Sequence, residues 1–205
     1  MKKVVIVDYG MGNLDSIARA VEECGGHALI THEKHDFKAV SNIILPGVGS
    51  FAHGMQNIRR LGLDEILNEE VVENKVPFLG ICLGMQLFAT IGFEGQETKG
   101  LGWIEGEVRR LEPDRYHTKI PHIGWNEVNF IKPSPLFKNI PSGKDFYFVH
   151  SYHLLCKNDE YVIGRSPYCG SFVSVVCKEN IFGVQFHPEK SQRFGLQLIR
   201  NFLLL

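Results

Sequence analysis

No two cysteines stand in a C-x-x-C pair, and no apolar run approaches the roughly 20 residues that a membrane-spanning helix needs. Neither sign of charge prevails either, since 22 Lys and Arg face 23 Asp and Glu for a formal net charge of −1. Without a cationic excess there is no global drive for counterion release, which sets aside a nucleic-acid-binding role. The five cysteines (Cys24, Cys82, Cys156, Cys169 and Cys177) are odd in number and dispersed, which argues against a disulfide framework and a zinc ribbon and fits a reducing compartment. The chain opens Met-Lys-Lys and enters VVIVD at once, too short a run for the apolar core of a signal peptide. These features predict a cytoplasmic protein that binds neither membrane nor nucleic acid. Internal repeats, low-complexity tracts and linkers long enough to split the chain are also lacking.

What is present is globular in proportion: 205 residues, 44% hydrophobic and 22% charged, with 14 Phe and 6 Tyr. A chain of this size buries roughly 70% of the surface its unfolded form exposes, so one domain over 1–205 needs no staple. Short apolar runs at 4–7, 28–30, 43–45 and 78–81 alternate with helical periodicity at 14–24 and 63–72. Strand, helix, strand, helix predicts βαβ units, and continuous rather than alternating strand hydrophobicity predicts a parallel sheet covered on both faces. After about residue 100 the texture turns β-rich, at 103–111, 127–131, 146–150, 161–165, 172–177 and 181–186, before 191–205 returns to helical spacing. The expectation is α/β: a three-layer sandwich around a central, mostly parallel, mixed sheet.

The sharpest local signal is Gly80-Ile81-Cys82-Leu83-Gly84, between the strand-like VPFL and the helix-like MQLFAT. A G-x-C-x-G at a strand-to-helix junction is the thiol form of a nucleophile elbow, in which small residues relieve crowding around a strained, projecting nucleophile. A helix starting there would favour thiolate over thiol through its macrodipole and free N–H groups. A nucleophilic Cys needs a base, and the base an orienting group. His187-Pro188-Glu189, at the end of the strand-like IFGVQF, supplies both. Acyl transfer also needs donors aimed at a developing oxyanion. The N–H of Leu83 is one, and Pro46-Gly47-Val48-Gly49 offers others at Val48 and Gly49. Two further motifs carry less. Gly10-Met11-Gly12-Asn13-Leu14-Asp15 has Asp15 where a dinucleotide fingerprint requires glycine, and His32-Glu33-Lys34-His35-Asp36 lacks metal-ligand spacing and reads as a solvated turn.

Together DYGMGN (8–13), LPGVGSF (45–51), GICLGMQ (80–86), PHIGWNEV (121–128), YFVHSY (147–152) and GVQFHPEKS (183–191) resemble the glutaminase subunits of imidazole glycerol phosphate synthases, over nearly the whole chain. The elbow and HPE alone indicate a class I glutamine amidotransferase; PHIGWN and YFVHSY narrow the match. The resemblance implies a class I glutamine amidotransferase-like fold and hydrolysis of glutamine to glutamate and ammonia. It also implies a heterodimer with a (β/α)₈-barrel cyclase, which uses the ammonia to make imidazole glycerol phosphate and AICAR in histidine biosynthesis. Cys82 then corresponds to the nucleophile, His187 to the base and acid, and Glu189 to the orienting group, with no cofactor and no metal. Gly49, Gln86, Glu94, Ser151 and Tyr152 fall where L-glutamine binds, and Asn13, Trp125 and Lys190 where the family faces its barrel. Two departures from the family pattern are Pro167-Tyr168-Cys169-Gly170-Ser171, in place of a Thr-Tyr-Gly-like stretch, and His153, where an aromatic usually follows. They keep open a paralogous glutaminase that feeds a surface-sugar amidination synthase. A non-catalytic scaffolding subunit is the alternative of another class, and an intact Cys82, His187 and Glu189 argue against it.

Overall fold

The computed structural model describes residues 2–114 and 118–205. In chain order it places β1 (Lys3–Val7), α1 (Leu14–Glu23), β2 (His27–Thr31), β3 (Asn42–Leu45), α2 (Phe51–Arg60), α3 (Leu63–Leu67), β4 (Phe78–Ile81), α4 (Leu83–Gln86), β5 (Ala89–Gly92), β6 (Thr98–Lys99) and β7 (Ile104–Arg110). There follow β8 (His122–Phe130), β9 (Lys144–His150), β10 (Tyr152–Cys156), β11 (Val162–Ser166), β12 (Phe172–Lys178), β13 (Ile181–Val184) and α5 (Gln192–Leu203). The main sheet runs β2-β1-β3-β4-β13-β12-β11-β8-β9, parallel from β2 to β13 and antiparallel beyond. A smaller sheet, β10-β7-β5-β6, is hydrogen-bonded separately.

The unbroken hydrophobicity of the parallel strands has its reason in the two cores. Successive side chains of β1 point to opposite faces. Val4 and Ile6 pack with Ile17 and Val21 of α1 and with Leu198, Ile199 and Phe202 of α5. Val5 and Val7 pack with Met55 and Ile58 of α2, with Leu63 and Leu67 of α3, and with Ile104 and Leu154 of the smaller sheet. Both faces are therefore dry, and a polar residue on either side of β1 would lose its water without gaining a partner.

Three expected elements differ. The stretch 63–72 is helical throughout but loosens after Leu67 into a π-helical segment, Asn68–Glu73. The β-rich run expected at 127–131 begins five residues earlier, at His122. MQLFAT is not a helix: α4 ends after four residues, and Ala89–Gly92 pairs with β7 and β6 as β5. No helix among the described residues is long and apolar enough to cross a membrane.

Candidate active site

Because β4 lies inside the sheet between β3 and β13, the chain leaving its carboxyl end emerges at the middle of the sheet's edge, where α/β sheets place their ligands. Cys82 is the first residue to emerge. Its φ of 54° and ψ of −108° put a non-glycine residue in a region that costs about 1–3 kcal/mol, strain of the kind stored at functional sites. The glycines on either side are required by space. A Cβ on Gly84 would lie 1.8 Å from the Leu45 carbonyl oxygen, and one on Gly80 2.4 Å from the Phe88 ring.

β13 lies beside β4 in parallel register, Val184 opposite Ile81, so its continuation brings His187 to the same edge. The His187 N–H donates to the Tyr147 carbonyl at 2.9 Å, which ties the turn to β9. The short Pro188–Lys190 turn then places Glu189 Oε1 2.8 Å from His187 Nδ1, with both side chains almost fully buried. His187 Nε2 is buried without a hydrogen-bond partner, and Cys82 is among the groups that act on the ring's pKa. Burial alone would keep this imidazole neutral, but Cys82 and Glu189 outweigh burial and raise its pKa to about 10. The group placed to bring positive charge toward Cys82 is therefore this imidazole. The helix macrodipole expected from the sequence is largely missing, because α4 is a single turn.

A cavity of about 220 Å³ gathers Val48, Gly49, Leu83, Gln86, Glu94, Ser151 and Tyr152 around Cys82, with Val149 and His150 completing its wall. Every residue expected to hold substrate or oxyanion is in this group. Glu94 accepts the Phe51 N–H at 2.7 Å and is half-buried, and burial raises its carboxyl pKa. The proposed oxyanion segment is anchored from below by the Tyr9 hydroxyl, which donates to the Pro46 carbonyl at 2.8 Å. A Cβ on Gly47 would sit 2.3 Å from that hydroxyl oxygen. One expected donor is occupied: the Leu83 N–H donates to the Gly47 carbonyl over a long 3.4 Å. Gly49 has a φ of +119°, so Gly49→Pro would break the local backbone as well as remove an N–H, proline being fixed near −65°.

Three residues that lie inside the quoted motifs but were given no role from the sequence join the site. His150 Nδ1 donates to the Tyr152 carbonyl at 2.9 Å, because a carbonyl can only accept. At the far end the Asn126 amino group donates to His122 Nε2 at 3.3 Å, so His122 Nδ1–H donates to His150 Nε2 at 3.1 Å. This directional chain requires both imidazoles to be neutral. Burial agrees, lowering the pKa of His150 to about 3 and of His122 to about 4. The third residue is Gln185, fully buried, whose Nε2 lies 3.6 Å from Cys82 Sγ.

These histidines give an expected pH dependence of stability. For His122, His150 and also His153, lowered by burial to about 4, the folded-state value lies below the ordinary 6.5. Their contribution is complete above about pH 6.5 and is lost as pH falls toward 3, since the unfolded chain then binds more protons. His187 runs the other way, its contribution complete below 6.5 and lost as pH rises through about 10. The thermal midpoint should accordingly peak near pH 6.5–7 and fall on both sides. A midpoint flat from pH 7 to 4.5 would contradict neutral buried imidazoles.

Of the residues expected to face a partner, Trp125 and Lys190 lie on one patch. Trp125 is 48% exposed and packs edge-on against Tyr147, and Lys190 Nζ sits 5.8 Å from the centre of the same ring. Asn13 is also exposed and caps α1 through its side-chain oxygen, which accepts from the Ser16 N–H at 3.4 Å. The His32–Asp36 segment is an exposed turn that leads into the buried Phe37.

The family description "Glutamine amidotransferase class-I" matches residues 5–205. Among curated relatives, imidazole glycerol phosphate synthase subunit HisH 1 of Campylobacter jejuni (strain RM1221) is 48% identical over 98% of this chain and 100% of its own length. The HisH subunit of Moorella thermoacetica is 45% identical over 98% of this chain and 94% of its own length. Among solved structures, PurLQS from Thermotoga maritima superposes with a TM-score of 0.75 at 19% identity, over 100% of this chain and 99% of that one. A crystal structure of a glutamine amidotransferase gives 0.72 at 19% identity, over 98% and 97% of the two chains. At those identities the solved structures speak for the fold alone.

Proposed function

The chain belongs to the class I glutamine amidotransferases, and from that membership we propose that Cys82, His187 and Glu189 hydrolyse the side-chain amide of L-glutamine in the cavity beside them. It is the glutaminase subunit of an imidazole glycerol phosphate synthase and serves histidine biosynthesis. The observation that carries the catalytic reading is the placement of Cys82: strained, at the sheet's edge, inside a small cavity and backed by the buried His187–Glu189 pair.

Cys82 as thiolate attacks the carboxamide carbon of glutamine. The tetrahedral oxyanion takes hydrogen bonds from backbone N–H groups of Leu83 and the Val48–Gly49 segment, each donor worth about 3–4 kcal/mol. The proton on His187 passes to the departing nitrogen, which leaves as ammonia and closes a γ-glutamyl thioester. His187, now neutral, takes a proton from water as it attacks the thioester; glutamate leaves and the thiolate returns. Glu189 holds the imidazole through Nδ1 and stabilises its charge in both half-reactions. Glu94 faces the α-amino group of glutamine, while Gly49, Gln86, Ser151 and Tyr152 frame its backbone.

The 1–205 domain works in the cytoplasm with a partner subunit, a (β/α)₈-barrel cyclase that docks over Trp125, Lys190 and Asn13 and receives the ammonia. The direct test is growth of a histidine auxotroph lacking its own glutaminase subunit. Rescue without histidine is expected; an active glutaminase that fails to rescue would point instead to the surface-sugar amidination role.

Ammonia released without an acceptor is wasted, and the occupied Leu83 N–H describes how the isolated chain stays idle. The Gly47 carbonyl must turn away before that donor can reach an oxyanion, and a partner with higher affinity for the turned state would shift the balance. A shift from 1:99 to 99:1 requires about 5.5 kcal/mol of differential binding. Glutaminase rates should rise from isolated chain to complex, and again when the complex holds its acceptor nucleotide. Equal rates in all three states would rule the switch out.

A further inference from the structure

We propose that Gln185 is a positioning residue that holds an N–H donor against the Cys82 sulfur, its polarity dictated by the Tyr152 backbone carbonyl two amides away. The proposal extends the reading of Cys82 as nucleophile. The Tyr152 carbonyl can only accept. Gln86 Nε2 lies 2.8 Å from it, so the Gln86 amino group and not its oxygen faces that side. The same amino group lies 2.9 Å from Gln185, which must therefore present Oε1. A carboxamide that turns its oxygen one way turns its NH₂ the other, and Gln185 Nε2 points at Cys82 Sγ from 3.6 Å.

The assignment is over-determined at both ends. Gln185 is fully buried and Gln86 nearly so, and flipping either amide would set oxygen against oxygen or an N–H against an N–H with no water to repair it. The Tyr152 carbonyl is itself held by His150, so it is not free to swing away. A hydrogen bond to the charged form of an acid favours that form, and here the donor reaches the thiolate. The imidazolium of His187 and the amide of Gln185 thus approach one sulfur from two sources, one supplying charge and one supplying direction. Gln185 does not line the substrate cavity, whereas Gln86 and Tyr152 do. A substrate that shifts Tyr152 or Gln86 would therefore alter the donor on the nucleophile without touching Gln185.

The test is the pH dependence of Cys82 alkylation by iodoacetamide, followed on the Cys82 peptide by mass spectrometry, in the wild-type chain, in Gln185→Met and in Gln185→Leu. Methionine keeps the length of the side chain and removes both polar ends. The alkylation rate of Cys82 at neutral pH should fall about tenfold in Gln185→Met, shifting the profile to higher pH. The glutaminase kcat of the complex should fall about tenfold at neutral pH with KM within twofold, and part of the loss should return at higher pH. Gln185→Leu should show the same shift should Gln185→Met fold poorly. An unchanged alkylation profile in a variant with native circular dichroism would overturn the proposal, as would loss of fold in both variants, which would make the residue purely structural. Alkylation needs no glutamine, so a wild-type chain that alkylates faster than the variants but shows no glutaminase activity would refute the reading of function and leave the Gln185 contact standing.

Discussion

Cys82→Ala should abolish glutamine-dependent synthesis in the reconstituted complex, by at least about 10⁴-fold, while synthesis from added ammonium salts continues unchanged. The reason is covalent: no other group in the 220 Å³ cavity can form the thioester. Cys82→Ser tests the same point more narrowly. A serine hydroxyl is far harder to ionise than a thiol, and a His187 tuned to pair with a thiolate will not deprotonate it. The other cysteines carry burial-raised pKa values, that of Cys156 pushed up to about 12, and none lines the cavity. Replacing them should leave the glutaminase rate within about twofold. Glutamine-dependent turnover surviving in Cys82→Ala would remove Cys82 from the mechanism.

The second large effect separates the two partners of that cysteine. In the proposed mechanism His187 moves protons in both half-reactions, whereas Glu189 touches only Nδ1, from 2.8 Å. His187→Ala should cost roughly 10⁶-fold in glutaminase kcat and Glu189→Gln roughly 10⁴-fold, the order found where an orienting carboxylate is lost from a triad. Glu189→Gln should also change the shape of the pH profile. Of the two groups that outweigh burial at His187, one would be gone, so the alkaline limb near pH 10 should move to lower pH. Equal or reversed costs in kcat, measured with the partner bound, would mean that the acid–base and orienting roles are misassigned.

The parts legible in the sequence are those governed by local sterics and periodicity. The elbow could be read because a strained nucleophile between strand and turn tolerates only glycine at Gly80 and Gly84, where the nearest atoms leave no room for a Cβ. The H-P-E turn could be read because two residues suffice to bring a carboxylate back to an imidazole. The parallel half of the sheet could be read because burial on both faces forces strands to be apolar at every position. The segment 87–92 could not. Its composition suits a helix, and only pairing with β7 and β6, neighbours contributed by later sequence, makes it a strand.

The site divides along the same line. The amino-acid sequence by itself singled out Cys82, His187 and Glu189 for the proposed roles of nucleophile, base and orienting group, since each sits in a short motif with its own steric or hydrogen-bonding logic. Only the tertiary structure decided what surrounds the sulfur. The Leu83 N–H is engaged by Gly47, the buried His187–Glu189 pair takes the place of a helix dipole, and Gln185 reaches Cys82 across 103 residues of chain. Its amide is oriented by a carbonyl in yet another strand. Such contacts have no periodicity and no local steric signature. They arise where strands distant in sequence end at one edge of a sheet, and a buried amide there must satisfy whatever donors and acceptors the fold sets beside it.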